Sequence, residues 1–211
     1  MLIISLTALT VSLLSLILDS LLPPRSSERV VRALSLEDLH MLASPSTGTL
    51  PYHDARVTAL VWEVKYRANK HALALAGEFL AGQFLAIAGE ELGALLIIPV
   101  PMHENRRKKR GYNQTELLCE ALMVHAKDAA EYAPNILVRI KETSPQQGLE
   151  RHKRLKNVRG SMEAVGPDRV AGRVCVVVDD VTTTGATFEE ARRALRAGGA
   201  RRVHFLTLAQ S

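Results

Sequence analysis

The stretch VCVVVDDVTTTGAT, residues 174–187, combines three features in one short segment. The apolar residues 174–178 predict a buried strand. Asp179 and Asp180 follow at the carboxyl end of that strand, and the threonines 182–184 and Gly185 come directly after them. Ligands of open α/β sheets bind outside the carboxyl ends of the strands. The segment therefore predicts a binding site at the end of a central strand.

The chain is expected to turn from this strand into a helix. Thr187 and Glu190 have capping-box spacing, which predicts that the helix begins at Thr187, and Gly198-Gly199 is expected to end it. The turn at residues 182–186 then lies over a helix N-terminus, where free N–H groups and the helix dipole favour an anion. Gly185 allows close approach, and the hydroxyls add uncharged donors. A phosphate monoester fits such a turn.

The acidic pair needs a partner other than the phosphate, because two carboxylates would repel it. Vicinal ribose hydroxyls or a magnesium ion would suit Asp179 and Asp180. Phospho-acceptor receiver domains also end a strand with an acidic pair, but they place it near the N-terminus and lack the threonine-glycine turn. The segment is expected to hold a sugar and its phosphate together.

The rest of the chain predicts an α/β protein with a parallel sheet covered by helices on both faces. Apolar runs read as strands alternate with segments of helical periodicity, including two helices separated by a break at residues 68–70. Nearly continuous apolar strands are typical of parallel sheets buried on both sides. The expected strands are ALLIIPVP, NILVRI, VCVVVDD and VHFLTLAQ, and NQTELLCEALMVHAKDAAEY is an expected helix.

Composition narrows the class of protein and of partner. The 211 residues are 47% hydrophobic and 23% charged, as in an ordinary globular chain, and the net charge of +5 suits an anionic partner. Aromatic residues make up 4%, which counts against extended single-strand binding. Cys119 and Cys175 form no CxxC pair, so we expect a reducing, cytoplasmic location and no zinc site.

The N-terminal residues 1–54 are expected to be an apolar helix and a polar connector, followed by one domain at residues 55–211. Residues 1–18 carry no charge, and a helix of that length would span about 27 Å, slightly less than a hydrocarbon core of roughly 30 Å. A membrane anchor therefore stays open. The favoured alternative is a helix packed on the main domain and ended by Pro23 and Pro24.

Several segments together resemble one family. VVVDDVTTTGAT is similar to the phosphoribosyl-pyrophosphate signature of type I phosphoribosyltransferases, and four further segments resemble the ComF/GntX group within them. These are IIPVPMHENRRKKRGYNQTELL, VKY, TSPQQGLERHKRLKNVRGSM and GGARRVHFLTLAQ. The resemblance covers residues 55–211 and implies the type I phosphoribosyltransferase fold with an N-terminal hood. Two features depart from the family: RSSERVV carries no cysteine where members have a zinc-binding cluster, and Tyr112 replaces the usual Phe.

The resemblance also implies residue roles. Asp179 and Asp180 would hold the ribose hydroxyls and magnesium, while the turn would hold the 5-phosphate through Thr182, Thr183, Thr184, Gly185, Ala186 and Thr187. Pro101, Met102 and His103 would lie near the diphosphate, Lys65 in the hood and Gln114 beside the substrate. Gln147, Arg151 and Asn157 match a mobile loop over the site. Arg110 and Arg151 would act as catalytic cations, whereas residues 106–109 could equally be a solvated face.

The implied activity is transfer of phosphoribose from phosphoribosyl pyrophosphate, with Mg²⁺, to an acceptor that the sequence does not identify. Two alternatives stay open: a non-catalytic sensor of phosphoribosyl pyrophosphate or a nucleotide, and an accessory protein of DNA import that binds single strands. The family is linked to competence, and a homo-oligomer is expected.

Overall fold

A computed structural model of the chain describes residues 26–142 and 158–211. Its centre is a parallel sheet in which five strands are hydrogen-bonded in the order β1-β7-β6-β2-β3. The strands are β1 Leu50–Pro51, β2 Leu95–Pro99, β3 Ala130–Tyr132, β6 Val174–Thr182 and β7 Arg202–Gln210. A separate antiparallel pair consists of β4 Leu137–Arg139 and β5 Met162–Ala164. The helices are α1 Ser26–Arg32, α2 Leu36–Leu42, α3 Ala55–Arg67, α4 Lys70–Glu90, α5 Glu104–Arg110, α6 Gln114–Ala126, α7 Pro167–Val170 and α8 Ala186–Ala197.

Strand β6 is buried on both faces, which explains its unbroken apolar sequence. Val176 and Val178 belong to the core beneath α3, α4 and α6, whereas Cys175 and Val177 belong to the core on the α8 side. Side chains alternate across a strand, so each face of β6 needs apolar residues. The predicted parallel sheet with helices on both faces is confirmed.

The chain order of the strands creates a crevice between β2 and β6. After β2 the chain adds β3 on one side of that strand, and it later adds β6 and β7 on the other. Such a reversal of direction opens a crevice at the carboxyl ends of the two strands on either side of it. The segments that follow β2 and β6 therefore meet at one end of the sheet.

One predicted sheet strand was misplaced. NILVRI was expected in the parallel sheet, but Leu137–Arg139 instead pairs antiparallel with Met162–Ala164. The predicted helix before it ends at Ala126, and the edge strand of the sheet is Ala130–Tyr132. Only four residues connect this edge strand to β4, too few for the crossover that a further parallel strand requires.

The predicted break between the third and fourth helices is confirmed: α3 ends at Arg67, Ala68 is left-handed with φ 47°, and Asn69 caps α4. In the described part of the chain, α4 alone is long and apolar enough to cross a membrane. It contributes to the hydrophobic core, and Gly77 lies so close to α6 that an added Cβ would come within 2.5 Å of Ala121. Its apolar sequence is explained by this packing.

The segment expected to be a polar connector contains regular structure. Helices α1 and α2 and strand β1 lie within residues 26–51, and Val31, Leu39 and Leu50 join the same core as α3 and α4. The division at residue 54 stays a prediction, and the apolar residues 1–22 lie outside the described residues.

Candidate functional site

The acidic pair lies near the end of β6 and is buried. Asp179 and Asp180 are 8% and 4% exposed, and the Asp180 N–H donates to Asp179 Oδ1 at 2.9 Å. Successive side chains leave a strand on opposite faces, which directs Asp180 toward α3. Both carboxylates line a cavity of about 580 Å³ at the carboxyl ends of β2 and β6.

Lys65 of α3 neutralises Asp180. Its Nζ lies 3.1 Å from Asp180 Oδ2, to which Gln114 Nε2 also donates at 3.4 Å. Burial acts to lower the pKa of Lys65, but the Asp180 carboxylate outweighs it and the pKa is raised. Burial likewise acts to raise the pKa of Asp180, but Lys65 overcomes it and holds that pKa below its ordinary value. Asp180 is therefore an ionised carboxylate held in place by a cation.

The pKa of Asp179 is shifted in the opposite direction from that of Asp180. Burial, followed by the charge of Asp180, raises its pKa well above the ordinary value of 3.8. An ionised Asp179 costs stability in the empty site because its charge is both desolvated and repelled. A ligand hydroxyl or a cation beside this carboxylate would relieve that cost.

We expect Asp179→Asn to raise the melting temperature at neutral pH. Because the folded-state pKa of Asp179 lies above the unfolded one, stability is lost as pH rises from about 3.8 through the folded-state pKa. Asparagine does not ionise, so its advantage should be full above the folded-state pKa and should shrink as the solution is acidified toward pH 4. Thermal unfolding of both proteins across this range measures the difference. A difference that is constant with pH would contradict the predicted ionisation.

The threonine turn is present, but its capping differs from the prediction. Helix α8 begins at Ala186, and its N-cap is Gly185, whose φ of 74° is left-handed. Glycine adopts this conformation without the strain that a side chain adds. Glu190 does not complete a capping box; its buried carboxylate accepts from the Met162 N–H at 3.1 Å and pairs with Arg193 at 2.8 Å. The predicted capping box is wrong, because the N-cap residue Gly185 has no side chain that could accept from the N–H groups of α8.

Only part of the turn faces the cavity. Thr183 and Thr187 line it. Thr184 Oγ1 accepts from the Ala186 N–H at 3.4 Å, and the Thr182 carbonyl accepts from the Ser211 N–H at 3.0 Å. Thr182, Thr184, Gly185 and Ala186 shape the turn, while Thr183 and Thr187 lie at the cavity wall.

Side-chain hydrogen bonds to backbone carbonyl groups fix the loop after β2. The Val100 carbonyl accepts from Thr115 Oγ1 at 2.7 Å and from Asn113 Nδ2 at 3.1 Å, and the Pro101 carbonyl accepts from Arg139 Nε at 2.9 Å. His103 Nδ1 accepts from the Asn105 N–H at the start of α5. These contacts fix the loop that carries Pro101, Met102 and His103 along one side of the cavity.

Arg139 is a cavity residue that the sequence reasoning missed. It lies half-buried at the end of β4, and its NH1 also donates to Ser161 Oγ at 3.4 Å. Burial lowers its pKa, the Asp179 carboxylate acts against this, and the nearby Arg106 lowers it further. Two neighbouring cations at one cavity wall create a local positive potential that suits an anion. The available signal was an arginine at the end of an otherwise apolar run, but the misplaced strand concealed its position.

The basic run of α5 divides into two sets. Arg107 and Lys108 pair with Glu116 and Glu104, each at 2.6 Å. Arg106 and Arg110 line the cavity, and Arg110 NH1 donates to Gln114 Oε1 at 2.7 Å. Among residues 106–109, Arg106 therefore lies at the cavity and Arg107 and Lys108 pair with acids, while ligand contact stays a prediction.

The structure brings most of the predicted site residues together around one cavity. Those that line it are Lys65, Pro101, Met102, His103, Arg110, Gln114, Asp179, Asp180, Thr183 and Thr187. Gln147, Arg151 and Asn157 lie outside the described residues. Among the described residues no group of three or more His, Cys, Asp and Glu side chains could hold a metal ion.

Comparison with known proteins identifies the family of this chain. Residues 127–211 match the family model of the phosphoribosyl transferase domain. The DNA utilization protein YhgH of Salmonella typhimurium is 32% identical over 159 residues, which are 74% of this chain and 67% of that protein. The chain belongs to the ComF family of phosphoribosyltransferase-like proteins. Competence protein F of Haemophilus influenzae is 35% identical to this ComF-family chain over 116 residues.

That second match covers 54% of this chain and 50% of Competence protein F, so the ComF-family chain spans about half the length of several curated relatives it matches. Among solved structures, hypoxanthine phosphoribosyl transferase of Trypanosoma cruzi matches with a TM-score of 0.43 and 12% identity over 66% of this chain and 65% of the other. The family match and the parallel sheet agree on the type I phosphoribosyltransferase fold.

Proposed function

We propose that this ComF-family protein binds phosphoribosyl pyrophosphate together with Mg²⁺ and transfers the phosphoribosyl group to a nucleophilic acceptor. The observation that carries the proposal is the convergence of three elements on one cavity: the buried pair Asp179 and Asp180, the turn before α8 and the braced loop after β2. A sugar with a phosphate at one end and a diphosphate at the other requires three such elements.

Each element suits one part of the substrate. The carboxylates accept hydrogen bonds from the ribose hydroxyls. The hydroxyls of Thr183 and Thr187 and the N–H groups at the start of α8 would hold the 5-phosphate, as helix N-termini hold anions. The loop from Pro101 to His103, with Arg139 and Arg110 beside it, would hold the diphosphate.

Magnesium fits this donor set only together with the substrate. Mg²⁺ is usually bound by one or two carboxylates plus substrate phosphates and waters, and the described cavity offers Asp179 and Asp180. Bound Mg²⁺ would neutralise charge on the leaving diphosphate. The high pKa of Asp179 fits a carboxylate that becomes an ionised ligand when a cation or a hydroxyl reaches it.

The transfer needs little proton chemistry from the protein. The bond from ribose C1 to the diphosphate oxygen breaks, its electron pair leaves with the diphosphate, and positive charge develops on the ribose. The nucleophile then donates an electron pair to C1. The chain's own contribution would be to hold the two ends of the substrate and to place Arg139 and Arg110 against the leaving group, which is positioning with electrostatic stabilisation.

The names of the relatives suggest the cellular process in which this chain acts. They are called competence protein and DNA utilization protein, and we propose that the present chain serves DNA uptake or the use of imported DNA. Breakdown of an imported strand yields bases and nucleotides, so these are the acceptors to try first.

The experiment is a pyrophosphate-release assay with the purified chain, Mg²⁺, labelled phosphoribosyl pyrophosphate and a panel of bases. We expect release that requires both Mg²⁺ and an acceptor. Binding without turnover for every acceptor would favour the non-catalytic sensor. Absence of phosphoribosyl pyrophosphate binding, with the protein folded by thermal unfolding, would overturn the proposal.

A further inference from the structure

Two side chains of α8 bind the backbone of β5. Glu190 Oε1 accepts from the Met162 N–H at 3.1 Å, and Arg193 NH2 donates to the Met162 carbonyl at 2.7 Å. Arg193 also forms an ion pair with Glu190 at 2.8 Å. Both backbone polar groups of Met162 are therefore bound by one ion pair of α8, although neither Glu190 nor Arg193 lines the cavity.

Met162 is accessible to α8 because of its position in the antiparallel strand pair. It lies opposite Arg139, and in the next pair of residues the Ile140 N–H donates to the Ser161 carbonyl at 2.9 Å. Pairs with and without mutual hydrogen bonds alternate along an antiparallel ladder, so Arg139 and Met162 form a pair without them. The N–H and carbonyl groups of Met162 therefore point away from β4, where the side chains of α8 bind them.

Glu190 is an ionised carboxylate although its side chain is 4% exposed. Burial acts to raise its pKa, but the bonds from Arg193 and from the N–H groups of Met162 and Gly160 outweigh burial, and the pKa is lowered. The Met162 side chain packs in the core on the α8 side, but apolar contacts are non-directional. Hydrogen bonds require defined distances and angles, so Glu190 fixes where β5 lies along α8.

The position of β5 affects the cavity through Arg139. Arg139 lies opposite Met162 on β4, and it donates to Ser161 Oγ at 3.4 Å and to the Pro101 carbonyl at 2.9 Å. The threonine turn lies at the start of the same helix that carries Glu190. Helix α8 is therefore connected to both ends of the site: to the 5-phosphate end by its N-terminus and to the diphosphate end by Glu190.

Building on the phosphoribosyl pyrophosphate binding proposed above, we propose that Glu190 is a positioning residue that fixes the separation between the two ends of the site by holding Arg139 relative to α8. A ligand that contacts both ends gains from the second contact only when the separation of the ends matches its own length. A ligand that contacts one end is insensitive to that separation.

The test compares phosphoribosyl pyrophosphate, ribose 5-phosphate and free diphosphate in titration calorimetry. Glu190→Ala should weaken phosphoribosyl pyrophosphate binding at least about fivefold and leave the other two affinities near their wild-type values. Glu190→Gln keeps an oxygen that can accept from the Met162 N–H, so it should recover part of the loss. The matched control is Glu189→Ala, because Glu189 makes an ion pair of the same spacing with Arg192 at the surface of α8. This control should change none of the three affinities.

A double-mutant cycle with Arg139→Met separates positioning from general support of the fold. If Glu190 acts through Arg139, Glu190→Ala should weaken phosphoribosyl pyrophosphate binding much less in the Arg139→Met background than in the wild type, because the effects of coupled residues are not additive. Arg193→Gln removes the donor to the Met162 carbonyl at a side chain that is 48% exposed. It should repeat the ligand pattern of Glu190→Ala, and it replaces that variant if circular dichroism shows Glu190→Ala to be unfolded.

Three results would overturn the positioning role. One is an equal loss for all three ligands with a lower melting temperature, since Glu190 would then only support the fold. The others are additive losses in the cycle and the same loss from Glu189→Ala. The wild-type titration tests the proposed function separately: if the folded wild type binds no phosphoribosyl pyrophosphate, both proposals fail, whereas wild-type binding with additive losses removes the positioning role alone.

Discussion

Replacing Asp179 and Asp180 together with asparagine is expected to lower affinity for phosphoribosyl pyrophosphate by more than tenfold, about 1.4 kcal/mol or more, while the protein stays folded. The two carboxylates line the cavity at the end of β6, and asparagine keeps their shape while removing the charge that attracts hydroxyl protons and Mg²⁺. Ligand titration and thermal unfolding of the same double variant give both quantities.

The two single variants should affect stability in opposite directions. Asp179→Asn removes a desolvated and repelled charge, so stability should rise. Asp180→Asn leaves the largely buried Lys65 without the carboxylate that lies 3.1 Å away, so stability should fall. The double variant combines a gain with a loss, and it is therefore expected to melt near the wild type.

The matched control is Asp168→Asn, because Asp168 is an exposed acid on α7 that does not line the cavity. Asp168→Asn should alter neither the affinity for phosphoribosyl pyrophosphate nor the melting temperature. If the double variant unfolded at a clearly lower temperature yet kept its affinity, the carboxylates would be structural, and the assignment to a ribose site would be wrong.

The acid pair could be predicted from the sequence because its signals are local. A two-faced apolar strand, a change to acids at its carboxyl end and a threonine-glycine turn lie within residues 174–187. The partner of Asp180 was less accessible to residue-level reasoning. Lys65 is 115 positions away on another helix, and the family resemblance assigned it to the hood without showing that it neutralises this carboxylate.

The errors share one physical cause, which is competition from tertiary contacts. Thr187 and Glu190 have capping-box spacing, but Glu190 gains a buried backbone donor at Met162 and a partner in Arg193. NILVRI is apolar enough for the main sheet, yet residues 130–132 take the edge of that sheet, and the four residues from there to β4 are too few for a parallel crossover. In both cases a partner distant in sequence decided the structure.

Arg139 was missed because its strand was misplaced. Its substitution is expected to distinguish binding of the diphosphate end of the substrate from binding of the 5-phosphate end. Arg139→Met should lower affinity for phosphoribosyl pyrophosphate and for free diphosphate by at least tenfold, because removing one partner of a desolvated, hydrogen-bonded charge pair costs about 2–5 kcal/mol. Affinity for ribose 5-phosphate should stay near wild type, since Thr183, Thr187 and α8 are untouched. Titration calorimetry with these three ligands makes the comparison.

Conservative and remote substitutions define what the arginine does. Arg139→Lys keeps the positive charge but replaces the fork that donates to the Pro101 carbonyl and to Ser161 Oγ, so it should recover part of the lost diphosphate affinity. Arg169→Met, at a half-exposed arginine paired with Glu131, should change none of the three affinities. If Arg139→Met weakened all three ligands equally together with a lower melting temperature, Arg139 would only support the fold. A selective loss at the diphosphate end would instead mean that the strand absent from the main sheet delivers its terminal arginine to the leaving group.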